Sequence, residues 1–339
     1  WEFMGLIMPY SESNTSAHLL LFAQNAPTHW QDHIPKHGIY QSSFKPEWRK
    51  DRCCQDVPTH LLTDSYEIVP CLSLGSTSSW GYQCSLEYET NRGKRGISQL
   101  TPIGRFDYNK VNSDQNKLVE TKIDLWTIKT KLKWARVHWQ IQGLTNIESI
   151  SALFSLSFRR KTTEKSLTTP KLSLEKTVPK ISQMSLRSDI KDRVCSPTCL
   201  SMLIQYHGIA NQVYDVIAEA YHAPTQLYGV WPNNIRAANH YGLCGYICHI
   251  PNWETAENLL ENSHPFIASI QYKRGQIADV PIEKTNGHLV IVRGCKSGKI
   301  LVNDPAAQTT DEVARSYNVE EFRKAWFGGS AIAYILFPI

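Results

Sequence analysis

No stretch of the chain holds the roughly 18 or more consecutive apolar residues that a membrane-spanning helix needs. The best run, residues 17–23, is far too short, so no membrane span is expected. Charge of one sign is also scarce: 36 Lys and Arg against 31 Asp and Glu leave a formal +5 on 339 residues. So small an imbalance gives no footprint for nucleic acid as a partner. Cysteine is plentiful at nine, but the C-x2-C spacing of structural zinc sites is missing. His18, His29, His33 and His37 fall in no metal-site pattern either, and no metal or other cofactor is expected. Because nine is odd, at least one thiol stays unpaired within a monomer; pairing among Cys53, Cys54, Cys71 and Cys84 stays open, as do the redox compartment and the oligomeric state. Trp1-Glu2-Phe3 reads as vector-derived residues ahead of a native Met4, with no secretory signal after it. The expectation is a cytoplasmic protein or one exported by a signal-less route, with a removed secretory signal as the alternative.

What the chain does have is a cysteine at the mouth of a helix. Residues 194–208 read Val-Cys-Ser-Pro-Thr-Cys-Leu-Ser-Met-Leu-Ile-Gln-Tyr-His-Gly. Ser196 suits an N-cap, Pro197 the first turn and Gly208 the C-terminal stop. Cys199, Met202, Leu203 and Tyr206 recur at helical spacing and give one apolar face. Cys195 then sits at the helix N-terminus, where the dipole favours the thiolate, the nucleophilic form. Cys199, one turn on, reads as a buried small hydrophobe.

A cysteine nucleophile needs a base, and the base an orienting group. The segment Asn286-Gly287-His288-Leu289-Val290-Ile291-Val292-Arg293-Gly294 starts a β-branched run that His288 enters from a glycine turn. A Lys-Ser-Gly-Lys turn and a second run, 300–303, lead to Asp304. Two strands joined by a tight turn form a hairpin, so His288 and Asp304 should be neighbours in space. The order Cys195, His288, Asp304 is that of papain-like thiol hydrolases.

From Val178 onward the chain resembles the cysteine peptidase family thirty-nine, the bacteriocin-processing or double-glycine type, within the papain-like clan. The resemblance is carried by Val178-Pro179, Ser182-Gln183-Met184, Cys195-Ser196-Pro197-Thr198, Gly229-Val230-Trp231-Pro232 with Asn234, Gly287-His288-Leu289, Asn303-Asp304-Pro305-Ala306, Glu321-Phe322 and Ala325-Trp326, in the family's order. It is closest to the branch with Cys-Ser-Pro-Thr at the nucleophile and an N-terminal β-rich domain. The resemblance implies Cys195 as nucleophile, His288 as general base and Asp304 as orienter. Many members carry an oxyanion Gln six residues before the cysteine, where this chain has Asp189, a carboxylate that donates nothing. In the resembled branch the Gln lies further upstream, and Gln183 takes that place. The 186–194 stretch is then an insertion looping away from the site. Trp231 and Asn234 are expected to wall the substrate cleft.

Between 66 and 160 the pattern turns to short alternating runs at 66–72, 81–89, 118–128, 136–142 and 151–158. Val137, Trp139 and Ile141 face one way while His138, Gln140 and Gln142 face the other, the period of a strand with one buried face. The expected architecture is α+β: an N-terminal segment 1–45, a mostly β, sandwich-like domain 46–160, a basic linker 161–177 and a papain-like domain 178–339 able to fold alone. In the last, a helix bears the cysteine and an antiparallel sheet carries the histidine and aspartate. The ten tryptophans, Trp80 among them, are expected mainly to pack cores. The expected function is hydrolysis of peptide bonds in a peptide or protein substrate by a Cys-His-Asp triad through a thioester acyl-enzyme. Deamidation or acyl transfer on the same triad, and a peptide-binding module with a vestigial site, are the alternatives.

Overall fold

The structure is a computed structural model and describes residues 17–34, 40–43, 47–49, 51–107, 118–160, 169–262 and 264–339. Trp1 to Met4, His37 and the first half of the basic linker lie outside the described residues. The N-terminal part runs β1 (Ala17–Gln24), β2 (Tyr40–Ser43), β3 (Glu47–Arg49), β4 (Arg52–Asp56), β5 (Tyr66–Leu74), β6 (Gly81–Thr90), β7 (Arg95–Gln99), β8 (Ile103–Gly104), β9 (Val119–Thr121), β10 (Trp126–Ile128), β11 (Leu132–Gln142) and β12 (Ala152–Arg160). These make two sheets, ordered β2-β1-β12-β5-β10-β9 and β3-β4-β11-β6-β7, with β8 on β6. The C-terminal part follows as β13 (Leu174–Glu175), α1 (Cys195–Tyr206), α2 (Val213–Ala220), α3 (Trp231–His240), β14 (Leu243–His249), α4 (Trp253–Asn262), β15 (Phe266–Tyr272), β16 (Thr285–Lys296), β17 (Lys299–Asn303), β18 (Ala314–Asn318), α5 (Val319–Trp326) and β19 (Ile332–Pro338). Its sheet, β14-β19-β15-β16-β17-β18, is antiparallel throughout.

The N-terminal segment 1–45 contributes β1, which lies inside the first sheet and pairs β12 from Ala17↔Arg159 to Gln24↔Ala152. The first sheet differs from a one-sided sandwich sheet, because its inner strands are buried on both faces. Along β5, Ile68, Leu72 and Leu74 enter the sandwich core while Val69 and Cys71 enter a core built with α1, α3 and the C-terminal sheet. β1 divides likewise, with Leu20 on the sandwich side and Leu19 and Leu21 toward the C-terminal sheet. Two-sided burial requires apolar residues at consecutive positions, which explains the unbroken apolar run from Leu19 to Leu21. Trp80, Trp126 and Trp139 are buried in the sandwich, in line with a packing role.

Small polar residues let the two parts close on each other. Ser73 on β5 contacts Asn239 Nδ2 at 2.6 Å and accepts the Gly245 N–H at 3.0 Å. Ser157 on β12 pairs with His249 Nδ1 at 2.9 Å and accepts the His249 backbone N–H at 2.8 Å. The two parts therefore share cores, and residues 178–339 are not packed as a self-standing unit. The described end of the linker is docked too: β13 pairs β16 beyond the end of β15, and Glu175 meets Arg293 at 2.6 Å. Gly294 permits this approach, since a Cβ there would lie 2.1 Å from the Leu174 carbonyl oxygen.

Candidate active site

Cys195 is the first residue of α1, whose N-cap position is held by Val194 without a side-chain cap. Ser196 is thus not the cap expected from sequence; its hydroxyl lies 3.1 Å from the Tyr334 hydroxyl on β19. Pro197 fits because the first N–H groups of a helix have no intrahelical acceptor. The same rule leaves the Cys195 backbone N–H without an acceptor in its own helix. Cys195 is half-buried at the edge of the core that also supports Trp231.

The histidine arrives from the sheet. β16 and β17 form the expected hairpin, with Ile291 opposite Asn303. Its turn uses Ser297 and Gly298 at φ 50° and 72°, the left-handed pair that a two-residue turn requires. This register sets His288 Nε2 2.8 Å from Asp304 Oδ1, with both side chains buried. Nε2 being committed to Asp304, Nδ1 is the ring nitrogen left free to serve Cys195, whose thiol and the His288 imidazole act on each other electrostatically. The backbone of Leu289 and Ser196 also favours the thiolate form of Cys195. Asp304 is held from further sides: the Ala306 N–H donates to Oδ1 at 2.9 Å and the Tyr317 hydroxyl to Oδ2 at 2.7 Å.

Burial alone would push the Cys195 thiol up, but the interaction with His288 outweighs it and brings the pKa below its ordinary 9.0. Burial likewise opposes the imidazolium, yet the Asp304 carboxylate and the Cys195 sulfur raise His288 to about 10. Burial disfavours the Asp304 carboxylate, and His288, Tyr317 and the Ala306 N–H together hold it below 3.8. The arrangement favours a thiolate–imidazolium pair. The other buried thiols, Cys53, Cys71, Cys84, Cys199, Cys244, Cys248 and Cys295, are all pushed up, chiefly by burial. No disulfide joins any of the nine cysteines, all of which lie among the described residues.

Gln183 is buried next to the Asp304 turn, its backbone N–H donating to the Pro305 carbonyl at 2.8 Å. One side-chain N–H donates to the Lys191 carbonyl at 2.6 Å, and Oε1 has no partner among the described residues. The 186–194 stretch is therefore tied back to Gln183, differing from a loop that swings clear. Asp189 sits on its exposed rim in a two-pronged pair with Arg187, at 3.1 and 2.6 Å. Trp231 opens α3, keeps part of its surface exposed, and its backbone N–H donates to Asp124 Oδ2 of the sandwich at 3.2 Å. Asn234, expected at the cleft wall, is buried, and its amide nitrogen donates to the Tyr228 and Val230 carbonyls at 2.9 Å each, which braces the turn ahead of α3. Among the described residues no group of three or more His, Cys, Asp or Glu is arranged to hold a metal ion, and no helix is long and apolar enough to cross a membrane.

Sequence reasoning missed Tyr317. A signal was present: Asn318-Val319-Glu320-Glu321 is an N-cap followed by Glu at the third helical position, with Tyr317 and Phe322 flanking it as the apolar staple pair. In the structure Asn318 Oδ1 accepts the N–H groups of Glu320 and Glu321, and Tyr317 stacks on Phe322 at 6.3 Å.

Residues 175–331, which include Cys195, His288 and Asp304, match the Peptidase_C39 like family. That match points to a C39-like peptidase for the C-terminal part. No curated protein matches the chain at a significant level. Among solved structures the chain is similar to a double glycine motif protease from an AMS/PCAT transporter in complex with the leader peptide, at 18% identity and a TM-score of 0.34, covering 51% of this chain and 100% of that one. It is also similar to a C39-like peptidase from Bacillus anthracis, at 18% identity and a TM-score of 0.38, covering 50% of this chain and 100% of that one.

Proposed function

We propose that the protein is a cysteine peptidase in which Cys195, His288 and Asp304 act as nucleophile, general acid–base and orienting carboxylate. The observation that carries this reading is the buried His288–Asp304 pair at 2.8 Å, with Cys195 at the start of α1 close enough for the same imidazole to lower its thiol pKa. The Cys195 thiolate attacks the scissile carbonyl carbon, and the His288 imidazolium gives its proton to the departing amine, leaving a thioester. His288, now neutral, takes a proton from water, which attacks the thioester and returns the thiol. Asp304 fixes the ring tautomer and stabilises the imidazolium.

The oxyanion of each tetrahedral intermediate needs donors about 3 Å away. The Cys195 backbone N–H and the second side-chain N–H of Gln183 are the proposed donors, and Trp231 the proposed cleft wall. The substrate is a peptide or protein. Peptide-library cleavage read by mass spectrometry tests the proposal. Wild type should cut bonds that Cys195→Ala leaves intact; identical patterns from both would reject it.

A further inference from the structure

We propose that Tyr317 is a positioning residue of this site: its phenolic O–H, donated to Oδ2 of Asp304, keeps the carboxylate ionised and holds Oδ1 on His288, extending the site to a chain Tyr317–Asp304–His288–Cys195. The inference rests on the reading of the last three residues as catalytic. The distances along it are 2.7 Å from Tyr317 to Asp304 and 2.8 Å from Asp304 to His288. Asp304 is wholly buried, so water cannot satisfy its second oxygen, and an unsatisfied carboxylate oxygen is costly there. The Ala306 N–H serves Oδ1, which leaves the Tyr317 hydroxyl as the hydrogen-bond donor recorded for Oδ2.

Tyr317 is itself fixed. It stands opposite Ile300 across the β17–β18 ladder, one residue before the α5 cap, and stacks on Phe322. Its hydroxyl is thus aimed by a strand on one side and a helix start on the other. The remaining ionisable groups facing Asp304 are Tyr272 on β15 and Cys199 on α1. Both are pushed up, chiefly by burial, with the Asp304 charge adding to it, so both are neutral near pH 7. Arg315, on the same strand, is the cation that acts on Tyr317. Among the described residues His288 is the cation paired with Asp304, and Tyr317 is the neutral donor on its other oxygen.

A tyrosine that merely filled the core would be replaced by phenylalanine without consequence for proton chemistry. The test is therefore Tyr317→Phe, read as the pH profiles of peptide turnover and of Cys195 alkylation by iodoacetamide, with thermal unfolding as the control for folding. Removing a donor from an ionised carboxylate raises its pKa. The acid limb of both profiles should move up by about one pH unit, and kcat should fall roughly 10-fold with KM little changed. Fluorine placed beside the Tyr317 hydroxyl keeps the ring shape and makes the phenol a stronger donor, so it should move the limb the other way. Should Tyr317→Phe fail to fold, the fluorinated protein carries the test. Unmoved limbs in the folded variants, with Cys195 still the most reactive thiol, would overturn the role of Tyr317 and leave the peptidase reading standing. Loss of preferential Cys195 alkylation in the wild type would instead overturn that reading.

Discussion

Replacing Asp304 with asparagine removes one charge from a buried site at almost constant volume, so its effect isolates the electrostatic part of the proposed mechanism. His288 is raised from 6.5 to about 10 although burial works against it. At 1.36 kcal/mol per pKa unit, that difference is about 4–5 kcal/mol in favour of the imidazolium. The Asp304 carboxylate is the first of the groups that raise His288, ahead of the Cys195 sulfur, so its loss should shift the pair away from thiolate and imidazolium. Loss of ring orientation adds to this, and general acid–base groups are commonly worth 10²–10⁴-fold. Asp304→Asn should therefore lower kcat/KM by about 10²–10³-fold. The apparent pKa of Cys195 alkylation should rise by roughly one to two units in parallel. The assays are initial rates on a cleaved peptide and iodoacetamide alkylation between about pH 5 and 9, a window that spans ordinary histidine and cysteine pKa values. A folded variant with wild-type turnover and an unchanged alkylation profile would refute the coupling of Asp304 to the thiol through His288.

Gln183→Ala should slow turnover by roughly 10²-fold, the usual loss for an oxyanion donor, while Cys195 alkylation keeps its rate; undiminished turnover would leave the oxyanion to backbone N–H groups. His249 is buried against Ser157 with its pKa well below 6.5, chiefly through burial, so its contribution to stability is complete above pH 6.5 and is lost as pH falls toward the folded value. Unfolding free energies from urea titrations should fall below pH 6.5 by up to about 1.4 kcal/mol per pH unit from this residue alone, and His249→Gln should reduce that slope. A fragment of residues 178–339 exposes the partners of Val69, Cys71 and Leu125, including Ile235, Ile247 and Leu336, and should be unstable or insoluble alone. Cooperative unfolding of that fragment at the midpoint of the whole chain would contradict the shared core.

The site was legible where local rules act without help from distant packing. The helix start at Cys195 and the hairpin from His288 to Asp304 follow from a proline in the first turn, a two-residue turn and β-branched runs, and the structure brings Cys195, His288 and Asp304 together. The alternation at 136–142 marks β11, whose outer face meets no other layer. β1 was hidden because its sheet is buried on both sides, so its residues do not alternate. The union of the two parts was hidden for a related reason: Ser73 and Ser157 read as ordinary polar positions until Asn239, Gly245 and His249 arrive from far along the chain. The bracing role of Asn234 was not legible, because a motif position says nothing of which carbonyls a side-chain amide will meet. Tyr317 was missed because β18 is largely polar and its pattern carries no core signal, although the capping residues beside it did.

The most direct test of the central claim is alkylation of the folded protein with a limiting amount of iodoacetamide at about pH 6, below ordinary thiol pKa values, followed by peptide mapping. Cys195 should be modified first, since an imidazolium lowers its pKa while seven buried thiols are pushed up. Modification of Cys54 or of any buried thiol ahead of Cys195 would contradict the assignment of the nucleophile.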